Sequence, residues 1–206
     1  MLSNWPNWDR ELFFLINSEW TNPFLDQVFP WWRDMTAWYP LYLFLLVYVL
    51  VNFPRQFLLW LLFIVITISL SDQLSSSFLK NWIQRLRPCQ DPEVSPYARL
   101  LLDHCSGGFS FTSSHACNHF AAAIFFHKTL HKYFSKWSLL FFFWAATISY
   151  GQVYTGVHYP LDILAGGLAG TLIGWLMFLM YKKMIHRLGL ETTVVSTRPT
   201  KRSPNQ

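Results

Sequence analysis

The sequence predicts an all-α fold, a polytopic membrane helix bundle of about five transmembrane helices with an N-terminal interfacial helical segment. Three observations carry that prediction. The 206 residues are 52% apolar and 19% aromatic, with only 13% charged, whereas soluble domains carry about 25% charged residues. Eleven Trp and nineteen Phe are hard to hide in a soluble core of this size. The charges stand between long apolar runs, as juxtamembrane charges do. No nucleic-acid partner is expected from the +5 balance, because the basic residues do not collect in one patch.

In residues 1–34 short apolar groups alternate with Asp9, Arg10, Glu11, Glu19 and Asp26. That pattern is too broken to cross a bilayer. Trp5, Trp8, Trp20, Trp31 and Trp32 suit the headgroup level, so an interfacial helix or helix pair is expected, with a cap on the bundle as the alternative. A signal peptide is not expected, since no basic start leads into an uninterrupted apolar stretch. Residues 35–185 are read as the bundle. Its first span is 36–52, and Asn52, Pro54 and Arg55 make a turn. The second span, 56–78, is near the roughly 20 residues a crossing helix needs. It ends in Asp72 and Ser75 to Ser77, which belong against the bundle interior or water. Residues 80–114 form a polar loop of a length usually kept for function. A third span covers 115–130 and a fourth 137–150. Pro160 opens the fifth, to about Tyr181, because a first-turn proline lacks only an N–H that would go unpaired anyway. Gly166, Gly170 and Gly174 stripe one face of it and permit close packing. Residues 186–206, polar with Pro199 and Pro204, are expected as a disordered cytoplasmic tail.

Ten of the sixteen basic residues fall on the side that holds the 53–55 turn, the 128–136 link and the tail. That side is expected to be cytoplasmic. The 80–114 loop, the start of the third span and the 151–159 link then share the outer face. Cys89 and Cys105 flank that loop and can bridge in an oxidising compartment. Cys117, in an apolar helix, reads as a packing residue.

Three short stretches on that face carry chemistry. KNWIQRLRP places Lys80 and Arg87 seven apart, on one face of a helix that Pro88 ends. TSSH sets Thr112 or Ser113 as a helix cap before Ser114 and His115, and the free N–H groups there attract an anion. In GVHYPLD, Asp162 in the first turn of a helix reaches back to His158, fixing its tautomer and stabilising its cation. Each has a plainer reading alone: lipid-headgroup contacts, a polar cap, an ordinary first-turn acid. Together they match phosphoryl transfer, which needs positioned charge, one group to attack phosphorus and one to protonate the leaving oxygen. No cofactor is called for.

These stretches resemble the type 2 phosphatidic acid phosphatase family, itself similar to vanadium haloperoxidases. The family's first motif is Lys, six residues, Arg-Pro, and Lys80 to Pro88 fit it fully. The second is Pro-Ser-Gly-His, of which Ser113 and His115 match. The third is Ser-Arg, five residues, His, three residues, Asp. His158 and Asp162 match it, while Gly151 and Gln152 stand where Ser and Arg are expected. The resemblance spans about Asp72 to Gly174. It implies His158 as nucleophile, Asp162 as its orienting group and His115 as general acid. Lys80, Arg87, Ser113, Ser114 and Gln152 would hold the phosphate, with Arg85 or His119 able to replace the missing cation. It also implies a lipid phosphate or diphosphate substrate in a phospholipid bilayer and a phosphohistidine intermediate. The expected location is a bacterial inner (cytoplasmic) membrane, with the site on the extracytoplasmic face. Undecaprenyl diphosphate is favoured, with phosphatidylglycerophosphate, phosphatidic acid and lipid A phosphates as alternatives. Two other readings remain from the sequence: a zinc site on His115, His119 and Cys117, and a non-enzymatic lipid-headgroup binder.

Overall fold

The structure, a computed structural model, describes residues 5–191. The chain starts with α1 (Asn7–Phe14), a π-turn (Leu15–Glu19) and α2 (Pro23–Trp32). A 3₁₀ turn leads into α3 (Tyr39–Asn52), and α4 (Pro54–Asp72) follows at once. A wide π-helical segment, Gln73–Leu79, continues α4 into the single turn α5 (Lys80–Ile83). After a long loop come α6 (Ser114–Phe134), α7 (Leu140–Tyr154) and α8 (Pro160–Arg187). The tail expected from 186 begins inside α8, and 192–206 lie outside the described residues.

By length and composition, three helical stretches among the described residues can cross a membrane: Met35–Asn52, Pro54–Ile83 and Pro160–Arg187. Their outward side chains are apolar, with Leu58 75% and Leu168 74% exposed, as lipid contact requires. The expected third and fourth spans, α6 and α7, fall outside that measure. α7 has only 15 residues, and α6 carries His115, Asn118, His119, His127 and Lys128. α6 lies inside the bundle, its residues Ala121 to Phe126 all buried.

Small residues let α6 and α8 approach closely. A Cβ built on Gly166 would meet the Ser113 carbonyl oxygen at 2.6 Å, and one on Gly170 the Cys117 carbonyl oxygen at 2.0 Å. One on Gly174 would meet Ile124 Cγ2 at 2.1 Å. The stripe is therefore a packing surface, and it holds the start of α6 against the start of α8.

Residues before 35 pack into the same body as the bundle. Asp9, Phe13 and Asn17 are wholly buried. Asn17 Nδ2 donates to the Arg99 and Tyr154 carbonyl oxygens, both at 2.9 Å, and Asn17 Oδ1 accepts from Arg99 N at 2.7 Å. Tyr154 donates its hydroxyl to Asp26 at 2.7 Å, and the Phe29 ring packs tilted against Tyr154 with centroids 4.9 Å apart. Trp8, Trp20 and Trp31 remain exposed. In the 84–113 loop Cys89 and Cys105 form the disulfide, with Cα atoms 5.9 Å apart. Closing a loop of that length stabilises the fold by about 3 kcal/mol in the chain-entropy model.

The α6–α8 contact gives a test. Gly170→Ala should lower the unfolding temperature in detergent, since overpacking costs about 1–3 kcal/mol. Gly107→Ala, where an added Cβ meets nothing within 4 Å, should not. Equal melting of the two variants would contradict the packing argument.

Candidate active site

His158 reaches its position through a turn that only glycine takes without strain. Gly156 has φ +86°, and a Cβ there would lie 2.2 Å from the Arg99 carbonyl oxygen. The turn folds the chain back on α7, so that the N–H groups of Val157 and His158 both donate to the Gln152 carbonyl oxygen, at 3.1 and 3.3 Å. Pro160 then opens α8, and Asp162 caps it by accepting from Tyr159 N at 2.8 Å. The same carboxylate oxygen lies 3.4 Å from His158 Nδ1 and accepts a hydrogen bond from the Ser110 hydroxyl. The second oxygen accepts from Arg85 Nη1 at 2.8 Å.

Arg87 Nη1 approaches His158 Nε2 to 3.1 Å. A guanidinium only donates, so Nε2 must accept and carry a lone pair. The proton of the neutral ring is therefore on Nδ1, facing Asp162. That tautomer is the one a nitrogen nucleophile needs. Burial pushes His158 down to about 4, against the opposing hydrogen bond to Asp162. The ring is thus neutral at ordinary pH.

Arg87 is held by three carbonyl oxygens: Val157 at 3.0 Å, Gly108 at 3.3 Å and Gly107 at 3.4 Å. The last two sit just past Cys105, so the disulfide returns them to Arg87. Lys80 arrives by another route than the sequence predicts. Helix α5 stops at Ile83, and Gln84 caps it in the left-handed region at φ +53°. Lys80 and Arg87 therefore do not share a helix face. The π-segment turns Lys80 inward instead, and the chain beyond Gln84 carries Arg87. The Lys80 ammonium makes no hydrogen bond among the described residues, and the nearby charges acting on it are those of Arg87, Asp162 and Asp72.

Ser113 is the N-cap of α6: its hydroxyl accepts from Ala116 N at 3.4 Å, and its own N–H donates to the Asp162 carbonyl oxygen at 3.1 Å. The Ser114 hydroxyl is paired with Ser76 at 2.8 Å, in a polar ladder with Asp72 and Asn118. Only the backbone N–H of Ser114 remains for an anion. His115 lies within electrostatic reach of Arg33, His158 and Lys80. His119 Nδ1 donates to the His115 carbonyl oxygen at 2.7 Å, and its Nε2 is buried with no hydrogen-bond partner among the described residues. Among the described residues no group of three or more His, Cys, Asp or Glu is placed to hold a metal ion, so the zinc reading lacks a donor set.

Gln152 is wholly buried. Its side-chain oxygen accepts from Arg33 Nε at 3.1 Å and Arg33 Nη2 at 2.9 Å. Arg33 escapes sequence reasoning because it lies 119 residues away in chain order and belongs to no motif. Arg85 was a candidate for the missing cation. It is instead enclosed between Asp162 and Asp9, 2.5 Å from the latter, and stacked between Trp5 and Tyr159. Ser110 and Asp9 were also invisible in the sequence, since neither lies at a fixed spacing from His158. A cavity of about 510 Å³ leads to Ser114 and His115 from an apolar wall that includes Tyr42, Leu46, Ile64 and Phe126.

With the geometry in place, comparisons with known proteins are informative. The model of the PAP2 superfamily matches residues 57–185. The chain is 36% identical over 190 residues to the lipid A 4'-phosphatase of Bacteroides thetaiotaomicron, covering 90% of this chain and 82% of the relative. It is 27% identical over 176 residues to the lipid A 4'-phosphatase of Porphyromonas gingivalis, covering 84% and 72% respectively. The crystal structure of Aquifex aeolicus LpxE superposes with TM-score 0.59 at 25% identity, covering 82% of this chain and 93% of that one.

The His158 environment sets a pH dependence. A ring that attacks phosphorus must be unprotonated, and burial lowers the His158 pKa to about 4, so if His158 is the nucleophile protonation should remove activity only as pH falls towards 4. In kcat/KM for phosphate release, the acid limb should lie below pH 5. A limb centred near 6.5, the value of an ordinary histidine, would show that the ring is not buried as described.

Proposed function

Because the chain belongs to the PAP2 superfamily and is a membrane lipid phosphatase, a phosphoric monoester hydrolase, we propose that it removes the 4'-phosphate of lipid A through a phosphohistidine on His158. The observation that carries the mechanism is the Nε2 lone pair of His158, presented beside Arg87 with Asp162 behind the ring. Substrate phosphate takes over the Arg87 donor. Nε2 attacks phosphorus as the P–O bond to the sugar breaks, and His115 gives its proton to the departing alkoxide. Asp162 stabilises the ring cation that forms. Water then attacks phosphorus and gives a proton to His115, the N–P bond breaks, and inorganic phosphate leaves. Lys80, Arg87 and the N–H groups at the start of α6 neutralise the non-bridging oxygens throughout.

The substrate rests on the two lipid A 4'-phosphatases that the chain matches over most of its length. Undecaprenyl diphosphate, favoured from the sequence, has no such support among these relatives. The apolar wall of the 510 Å³ cavity suits acyl chains beside His115. Five membrane-crossing helices, with residues 1–34 at the interface and the site on the extracytoplasmic face of a bacterial inner membrane, complete the reading. The basic-residue asymmetry supports that orientation, and so does the disulfide, which persists in oxidising compartments.

Two measurements test this. Detergent-purified protein should release phosphate from lipid A faster than from undecaprenyl diphosphate, and the reverse order overturns the substrate. His158→Ala should abolish release. His115→Ala should lose about 10²–10⁴-fold on lipid A, whose alkoxide must be protonated, and less on a diphosphate, whose leaving group is a weaker base. For topology, an impermeant thiol reagent on intact cells should label Ser95→Cys and not Asn205→Cys, and the opposite pattern refutes the orientation.

A further inference from the structure

We propose that Arg33, delivered by the N-terminal segment and held by Gln152, is the phosphate-binding cation that position 152 itself does not supply. The inference rests on the phosphatase reading above and adds a residue to it. Position 152 lies directly beneath the attacking histidine, since its carbonyl oxygen accepts the N–H of His158. The family motif as read above expects an arginine there, and this chain has glutamine.

The Gln152 side chain does not replace the charge, but it fixes one in place. Two N–H groups of Arg33 converge on its oxygen, and the Gln152 nitrogen, although buried, has no partner among the described residues. Arg33 has no carboxylate partner among the described residues. Its neighbour Asp34 is engaged by the N–H and hydroxyl of Thr36, both at 2.8 Å. An amide oxygen orients a guanidinium without neutralising it. Nearby, among the described residues, Arg87 is likewise held only by carbonyl oxygens and the His158 ring, and the Lys80 ammonium makes no hydrogen bond. Arg33 lies within electrostatic reach of both Arg87 and His115. Bare cations gathered in a half-buried site repel one another, and a phosphate dianion relieves that repulsion. Arg33 Nη1, which makes no hydrogen bond among the described residues, remains as a donor for it.

The test uses the full chain in detergent and reads two quantities: kcat/KM on whichever lipid phosphate is hydrolysed, and affinity for inorganic vanadate, which needs no turnover. Arg33→Ala should weaken both by about 10- to 100-fold, the usual effect of removing a hydrogen bond to a charged group. Arg33→Ala combined with Gln152→Arg should recover at least about tenfold of that loss, because the charge returns from the other element. If Arg33→Ala does not fold, Gln152→Glu takes its place. That near-isosteric change keeps the contact, cancels the charge, and should weaken vanadate by a similar factor. Wild-type vanadate affinity in a folded Arg33→Ala or Gln152→Glu protein overturns the assignment. A folded double variant no better than Arg33→Ala overturns the equivalence of positions 33 and 152. Failure on lipid A with turnover of another lipid phosphate would refute only the substrate, and Arg33 dependence would still be read on that lipid.

Discussion

The site depends on one carboxylate buried at the start of α8. Asp162 has no exposed surface, so its charge must be met inside the protein or not carried at all. Four groups meet it: Tyr159 N–H, the Ser110 hydroxyl, the His158 ring and Arg85. Two come from the turn before α8 and two from the 84–113 loop. The first caps α8, the second fixes the end of the long loop, the third is the nucleophile candidate, and the fourth brings in the N-terminal segment through Asp9. Asp9 in turn accepts from Leu161 N at 2.7 Å, closing the ring of contacts back onto α8. A partly satisfied network of this kind would cost more than an apolar core. Completeness therefore ties the geometry of His158 to elements far from it in sequence.

Local spacing made part of this readable. The four-residue interval from His158 to Asp162 across Pro160 was enough to predict a helix start and an imidazole partner. TSSH pointed to an N-cap at Thr112 or Ser113, and Ser113 takes it, because capping is a short-range hydrogen bond. The glycines four apart in α8 read correctly as a packing face. The interval from Lys80 to Arg87 misled, although both residues do reach the site. Seven residues imply one helix face only if the helix continues, and here a π-segment precedes Lys80 while a left-handed Gln84 follows Ile83. Neither feature has a dependable sequence signal. Asp9, Ser110 and Arg33 were illegible for a deeper reason: their roles arise from contacts across 48 to 152 residues of chain.

The N-terminal segment is where the two levels differ most in what they say. Its broken hydropathy and its tryptophans speak of a membrane interface, and several of those tryptophans are indeed exposed. Hydropathy is blind to the other face of the same residues. Asp9 is buried against Arg85 and the start of α8, Phe13 against Tyr159 and Asn17 against the loop and α7, and Arg99 is bound to both Asn17 and Asp26. The segment therefore supplies one carboxylate of the Asp162 network and the guanidinium that Gln152 holds.

The cations of the site sort themselves by what holds them. Arg85 lies between two carboxylates and two aromatic rings, so its charge is fully consumed inside the protein. Such a group positions its neighbours and has nothing to offer a ligand. Arg87 and Arg33 are held by neutral oxygens, which fix direction and leave the charge intact. The Lys80 ammonium makes no hydrogen bond among the described residues. Burying uncompensated charge is costly, and a fold gains nothing from it unless an anion arrives to balance it. The same criterion separates the two roles open to position 152. An arginine there would carry the charge itself, whereas a glutamine can only aim another residue's charge, and it needs that residue to come from outside the bundle.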